Sequence, residues 1–257
     1  MYEYLMNAPH ILIGGTTGSG KSVLLNGIIL ELMRTYEESE ARLYLIDPKS
    51  VELYPYTKTG FCERYVEDSE EVPSLLNEVI EEMESRRKEM RDRGLKNYDG
   101  ERIYLVIDEL ADLMISPEKN AIRVGLQKIL QKGRACGIHV IAATQAPNRE
   151  VIPASIVLNF TDRIALRCLS AIESRQLINV GGAESLPRYG KGLYYSPEGI
   201  KVIDIPMVED EEIEEAIERH EVKIIEPVPF PSAPNEDNKN LFGLFALAAV
   251  FIVMVLI

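Results

Sequence analysis

The chain has 257 residues, 46% hydrophobic and 27% charged, with a formal net charge of −13. That size holds one large α/β domain with a short appendage, and the composition is ordinary for a soluble globular domain. Three widely spaced cysteines, Cys62, Cys136 and Cys168, exclude a CxxC or Cys/His metal motif and read as reduced thiols of a cytosolic chain. The N-terminus lacks the basic stretch and apolar run of a signal peptide. An acidic balance argues against a nucleic-acid partner only if it is evenly spread, and here it is not. Residues 123–175 carry eight Lys and Arg against three acids, whereas 204–237 carry twelve acids against Arg219 and Lys223.

The first predicted element is a buried strand, "HILIGG", ending in glycine. It runs into Gly15, Thr16, Thr17, Gly18, Ser19, Gly20, Lys21, Ser22 and Val23, the spacing of a phosphate-binding loop between a strand and a helix. In such a loop the glycines let backbone N–H groups converge on phosphate oxygens, and the helix N-terminus adds positive potential. Lys21 is expected to reach the β- and γ-phosphates, and Ser22 to ligate Mg²⁺. Val23, Leu24, Leu25, Ile28, Ile29 and Leu32 recur at helical spacing and predict a helix over 21–34.

"RLYLID" predicts a second buried strand ending in Asp47. "DSEEVPSLLNEVIEEMESRRKEMRDRG" predicts a long charged helix, capped by Asp68 or Ser69 and stopped at Gly94. "RIYLVIDE" predicts a third strand. Asp108 at its end is placed to hold Mg²⁺ through water, and Glu109 to polarise an attacking water as general base. Glu109 also reads as an acid at a helix start, favoured by the helix dipole.

A helix over 118–134 leads to a fourth strand, "GIHVIAATQ", in which His139 reads as a core residue. Thr144-Gln145 ends that strand and puts an amide near a γ-phosphate. Arg134 lies between this helix and strand, where a subunit edge presents it in trans to a neighbour's nucleotide. Arg163, Arg167 and Arg175 are alternatives for that cation. "DRIALRC" predicts a fifth strand, and "GKGLYYSPEGIKVIDI" a hairpin about Pro197-Glu198-Gly199. "EDEEIEEAIERHE" predicts an acidic amphipathic helix, with His220 as a favourable C-terminal cation.

Continuous apolar strands alternating with helices imply a mostly parallel sheet covered on both faces, with ligands at the carboxyl ends of the strands. Residues 1–222 are read as this domain and 223–240, with four prolines, as an extended linker. Residues 241–257, "LFGLFALAAVFIVMVLI", hold 17 uncharged residues. A helix of that length covers roughly 25 Å and is read as a C-terminal membrane anchor; packing on the core or a partner is the other reading.

Five ordered blocks, "PHILIGGTTGSGKSVLLN", "LYLIDPKSVELYPY", "YLVIDELADLM", "GRACGIHVIAATQAP" and "NVGGAESL", resemble the successive motifs of the FtsK/SpoIIIE family of DNA-translocating ATPases, from about Pro9 to about Ile203. The resemblance implies a RecA-like P-loop fold and a hexameric ring that drives double-stranded DNA through its pore with ATP and Mg²⁺. It implies Lys21 and Ser22 for nucleotide and metal, Asp108 and Glu109 for hydrolysis, Arg134 as the residue offered to a neighbour, and Arg175 as a pore-facing cation. The family commonly has arginine where this chain has Ala146, so a DNA contact falls to Arg149, and Ala171 stands where a basic residue is common. Nothing resembles the family's winged-helix module. A cytoplasmic motor anchored by its tail is the expected arrangement. An ATPase for protein secretion or phage assembly is the second expectation; a small-molecule kinase is disfavoured because such an enzyme needs no hydrolytic Glu109.

Overall fold

The apolar runs become strands that are buried on both faces. The computed structural model describes residues 2–6, 8–145 and 147–221. Ala146, the linker of 223–240 and the apolar tail of 241–257 lie outside the described residues, as do the expectations placed on them. Among the described residues no helix is long and apolar enough to cross a membrane.

Eight strands form one sheet: β1 (His10–Gly14), β2 (Ala41–Ile46), β3 (Cys62–Val66), β4 (Arg102–Ile107), β5 (Ile138–Thr144), β6 (Asp162–Ala165), β7 (Lys191–Ser196) and β8 (Gly199–Asp204). Their order is β3-β2-β4-β5-β1-β6-β7-β8, parallel through β6, with β7 and β8 antiparallel. The helices are α1 (Tyr2–Met6), α2 (Lys21–Thr35), α3 (Val72–Arg93), α4 (Leu110–Ile115), α5 (Lys119–Lys132), α6 (Ala154–Val157), α7 (Ala171–Ile178) and α8 (Asp210–Arg219).

Neighbouring residues on β1 serve opposite faces. Ile11 and Ile13 share a core with Leu24, Leu25 and Ile28 of α2 and Ile217 of α8. Leu12, between them, joins Val79 and Met83 of α3 and Leu126 and Ile129 of α5. Burying each such side chain contributes about 1.5–3 kcal/mol. Tertiary packing, more than local propensity, therefore holds these helices.

The predicted strands and long helices are present, with some boundaries moved. Helix α3 starts at Val72, not at Asp68 or Ser69, and Glu71 takes the N-cap position. Pro73 in its first turn suits a helix start. Ser69 instead turns its hydroxyl to Glu118, 2.7 Å away. Gly94 ends the helix in the left-handed region, φ 68°. Strand β3, "CERYV", went unpredicted because charges interrupt it at the sheet edge. His139 is a core residue, with Nδ1 2.9 Å from the Ala8 carbonyl oxygen and its ring stacked on Tyr104. Burial lowers its pKa, which favours the neutral ring.

Candidate active site

The phosphate loop is tied to the strands on both sides of β1. Gly14 pairs with Thr144 of β5 and Ala165 of β6. Just beyond, the Gly15 N–H donates to the Thr144 carbonyl at 3.2 Å and the Thr16 N–H to the Arg167 carbonyl at 3.0 Å. A Cβ at Gly15 would lie 2.6 Å from Ser19 Oγ and 2.8 Å from Leu166 Cβ, so the closing turn demands glycine there. Gly20 has open space around it but φ 94°, so it is its backbone conformation that favours glycine. It is the N-cap residue of α2 and makes no side-chain cap, which leaves the first-turn N–H groups of α2 to an anion.

The sheet order sets the rest of the site. Strand β5 lies between β1 and β4, so Gln145 stands between the loop and Asp108-Glu109. Its backbone N–H donates to both Glu109 oxygens, at 3.0 and 3.1 Å, while its side-chain Oε1 accepts from Thr17 Oγ at 2.6 Å. Glu109 is 2% exposed and is the N-cap of α4, accepting from the Ala111 N–H at 3.4 Å. Glu109 is therefore a helix-start acid whose carboxylate is buried and oriented.

Three residues of the site were not singled out as functional from the sequence. Lys49 Nζ lies 3.5 Å from Glu109 Oε2 and 3.8 Å from Asp112 Oδ2. Glu52 Oε1 accepts from Ser22 Oγ at 2.6 Å. Asp47 holds the turn that carries them, accepting from the Leu53 N–H at 2.9 Å and the Lys49 N–H at 3.3 Å. Asp47 had a signal, since it ends a buried strand just as Asp108 does. Lys49 and Glu52 lie in the block "LYLIDPKSVELYPY", but nothing in their spacing marks a role, because only the turn brings them in.

Burial lowers the Lys21 pKa, against the pull of Glu109 and Asp108. The Asp108 carboxyl is pushed up to about 6 by burial, then by Asp47 and Glu52, against the pull of Lys21 and Lys49. A folded pKa above the usual value near 3.8 means Asp108 contributes stability below that value and loses it as pH rises through about 6. Urea unfolding at a series of pH values is the check: Asp108→Asn is expected to gain about 1–2 kcal/mol relative to wild type between pH 4 and 7. A constant difference across that range would contradict the assignment.

Among the described residues no three His, Cys, Asp or Glu side chains form a metal cage. Ser22, Asp108 and the neighbouring Glu52 offer hard oxygens, a set that suits a cation whose remaining ligands are phosphate oxygens and water.

Arg134 is exposed on the turn before β5, whereas the loop lies beyond its far end. A strand of seven residues spans about 20 Å, so Arg134 does not reach its own loop. Arg163, an alternative for the same role, is corrected: it is 4% exposed, donates to the Leu177 carbonyl at 2.9 Å and lies 4.1 Å from the Tyr195 ring centre. Arg149 and Arg175 are both exposed, on the segments after β5 and β6. Arg149 lines a cavity of about 100 Å³ with Arg163 and Asn179; Arg175 lies beside Gly181 and lowers the Glu184 pKa only as a minor cause. A cavity of about 630 Å³ beside Glu52 is lined also by Asp210, Glu214, Glu218 and Glu221, a charge that repels phosphate.

A mostly parallel sheet with a glycine-rich loop strapped between strands, and an oriented carboxylate two strands away across β5, defines a RecA-like P-loop NTPase fold. The FtsK/SpoIIIE family model matches residues 1–104 and 100–149, and the chain belongs to that family. It is similar to the DNA translocase SftA of Bacillus subtilis, 42% identical over 204 residues, covering 73% of this chain and 21% of that protein. It is also similar to the DNA translocase FtsK of Rhizobium meliloti, 35% identical over 257 residues, covering 83% and 29% respectively. The chain thus spans under a third of the length of these relatives. Among solved structures, the pCW3 conjugation coupling protein TcpA, determined with ATPγS, matches with a TM-score of 0.73 at 27% identity, covering 83% of this chain and 66% of that one.

Proposed function

We propose that this chain is the ATP-hydrolysing part of a ring motor that moves double-stranded DNA. The observation that carries the reading is Gln145. One residue ties the phosphate loop, through Thr17, to the carboxylate of Glu109, so a change at the nucleotide and a change at the base are mechanically one event. In this reading Gly15–Val23 cradle the ATP phosphates and Lys21 neutralises them. Ser22 and Asp108 hold Mg²⁺, which supplies charge to the transferring phosphoryl group, and Glu109 takes the proton of the attacking water. Glu52 keeps the Ser22 hydroxyl oriented. Arg134, too far from its own site, serves the neighbour's in a hexamer.

The DNA part of the reading is supported by the names of the relatives and by exposed Arg149 and Arg175. The motor is taken as residues 1–222 and the linker as 223–240. The apolar 241–257 is taken as a membrane anchor for a cytoplasmic motor.

ATP turnover by the full chain is expected to rise at least about tenfold with duplex DNA and to lose that rise with added salt, because phosphate contacts release counterions. Equal turnover with and without DNA across a salt series overturns the reading. Stimulation by a secreted or coat protein in place of DNA would favour an export motor, the reading that Ala146 leaves open.

A further inference from the structure

We infer that Arg188 is a nucleotide contact in cis, a guanidinium that lies on the phosphate loop and pairs with the phosphate chain of a bound nucleoside di- or triphosphate. This rests on the reading of the loop as a nucleotide site and adds a residue outside every motif that led to it.

The register of the sheet carries Arg188 to the loop. Strand β6 is parallel to β1, with Ala165 beside Gly14, and β7 is antiparallel to β6, with Leu193 opposite Ala165. The residues before β7 therefore emerge at the edge where β1 enters the loop, although more than 160 residues separate them in sequence. Gly190, at φ 78°, lets the chain turn into β7 there.

At that edge the guanidinium meets Gly18, one of two left-handed glycines of the loop (φ 70°). A Cβ at Gly18 would fall 3.0 Å from Arg188 Nη2, 3.6 Å from Nε and 3.8 Å from Cζ. The planar group thus lies against a loop position that offers no side chain.

Arg188 forms no ion pair among the described residues, and its guanidinium lies 5.2 Å from the ring centre of its neighbour Tyr189. An exposed arginine with an acid in reach would turn to it. This one rests on a loop built to attract anions, where positive charge is unfavourable until a phosphate arrives. Its planar fork suits phosphate oxygens.

The test is equilibrium binding of ADP and of a non-hydrolysable ATP analogue to the full chain, alongside Arg188→Ala, Arg188→Gln and Lys21→Ala. Because Arg188 is exposed, its variants are expected to keep the wild-type melting temperature without nucleotide. Loss of a charge-assisted contact predicts about tenfold or weaker binding of both nucleotides by the two Arg188 variants. It also predicts a smaller rise in melting temperature at saturating ADP. Binding within about twofold of wild type in both variants, with Lys21→Ala defective, overturns the inference and leaves the nucleotide site standing. Tighter binding by Arg188→Ala overturns it too, since the side chain would then be an obstruction. Failure of the wild-type chain to bind either nucleotide removes the underlying reading, and this inference with it.

Discussion

Glu109→Gln is expected to bind nucleotide as well as the wild-type chain and to hydrolyse it about 10²–10⁴ times more slowly. The substitution keeps size and burial but removes the carboxylate proposed as the base. It also disturbs the geometry in a specific way. The Gln145 N–H donates to both oxygens of Glu109, and an amide offers one oxygen, with an NH₂ group that repels the same donor. The expected split is therefore an unchanged nucleotide affinity with a collapsed single-turnover rate. Gln145→Ala is a useful companion. It removes the acceptor for Thr17 but leaves the backbone N–H on Glu109, so it should slow hydrolysis less. A single-turnover rate for Glu109→Gln within threefold of wild type would remove Glu109 from the chemistry.

Arg86→Ala is expected to cost about 3–5 kcal/mol of stability, although the residue is far from the phosphate loop. Arg86 is 1% exposed. Its guanidinium donates to Glu82 at 2.9 Å, to the Glu101 carboxylate at 3.3 Å, and to the carbonyls of Glu101 and Cys136 at 2.8 and 3.1 Å. It also lies 4.4 Å from the Tyr98 ring centre. Truncation leaves two carbonyls without a donor and a void the size of the side chain, with Arg42 as the remaining partner of Glu82 and Glu101. Arg86→Lys keeps the charge but not the fork and should fall between the two. Urea unfolding measures both; a loss under about 1 kcal/mol for Arg86→Ala would show that the network relaxes without it. The Cys136 carbonyl belongs to the short turn that carries Arg134, so Arg86 also steadies the residue proposed to serve a neighbouring subunit.

Arg86 also illustrates what could be read from the sequence. In "MESRRKEM" it looks like Arg87, yet Leu76, Val79, Met83 and Met90 form an apolar stripe at helical spacing, and position 86 falls on it. Arg87 falls off the stripe and is half-buried, paired with Glu84 at 2.8 Å. The periodicity was legible, but the reason a charge occupies the stripe was not. That reason is the carbonyl of residue 136, fifty positions away. Arg163 gave the opposite error. Its type and place suggested a free cation, and a carbonyl of α7 and the Tyr195 ring claim it instead.

The phosphate loop, the strand-end acids Asp108 and Glu109, and the helix after the loop were all legible, because each is a local pattern. Spacing, periodicity and the conformational demands of glycine act over a few residues, so sequence alone determines them. It did not determine which strand lies beside which. The tertiary structure decided that β5 separates β1 from β4, and so that Gln145 bridges Thr17 and Glu109. It decided that one turn brings Lys49 and Glu52 to the site, and that an antiparallel strand returns Arg188 to Gly18. These are contacts between residues tens to more than a hundred positions apart. They depend on the burial of apolar area on two faces of one sheet, a sum over the whole chain that no short window contains.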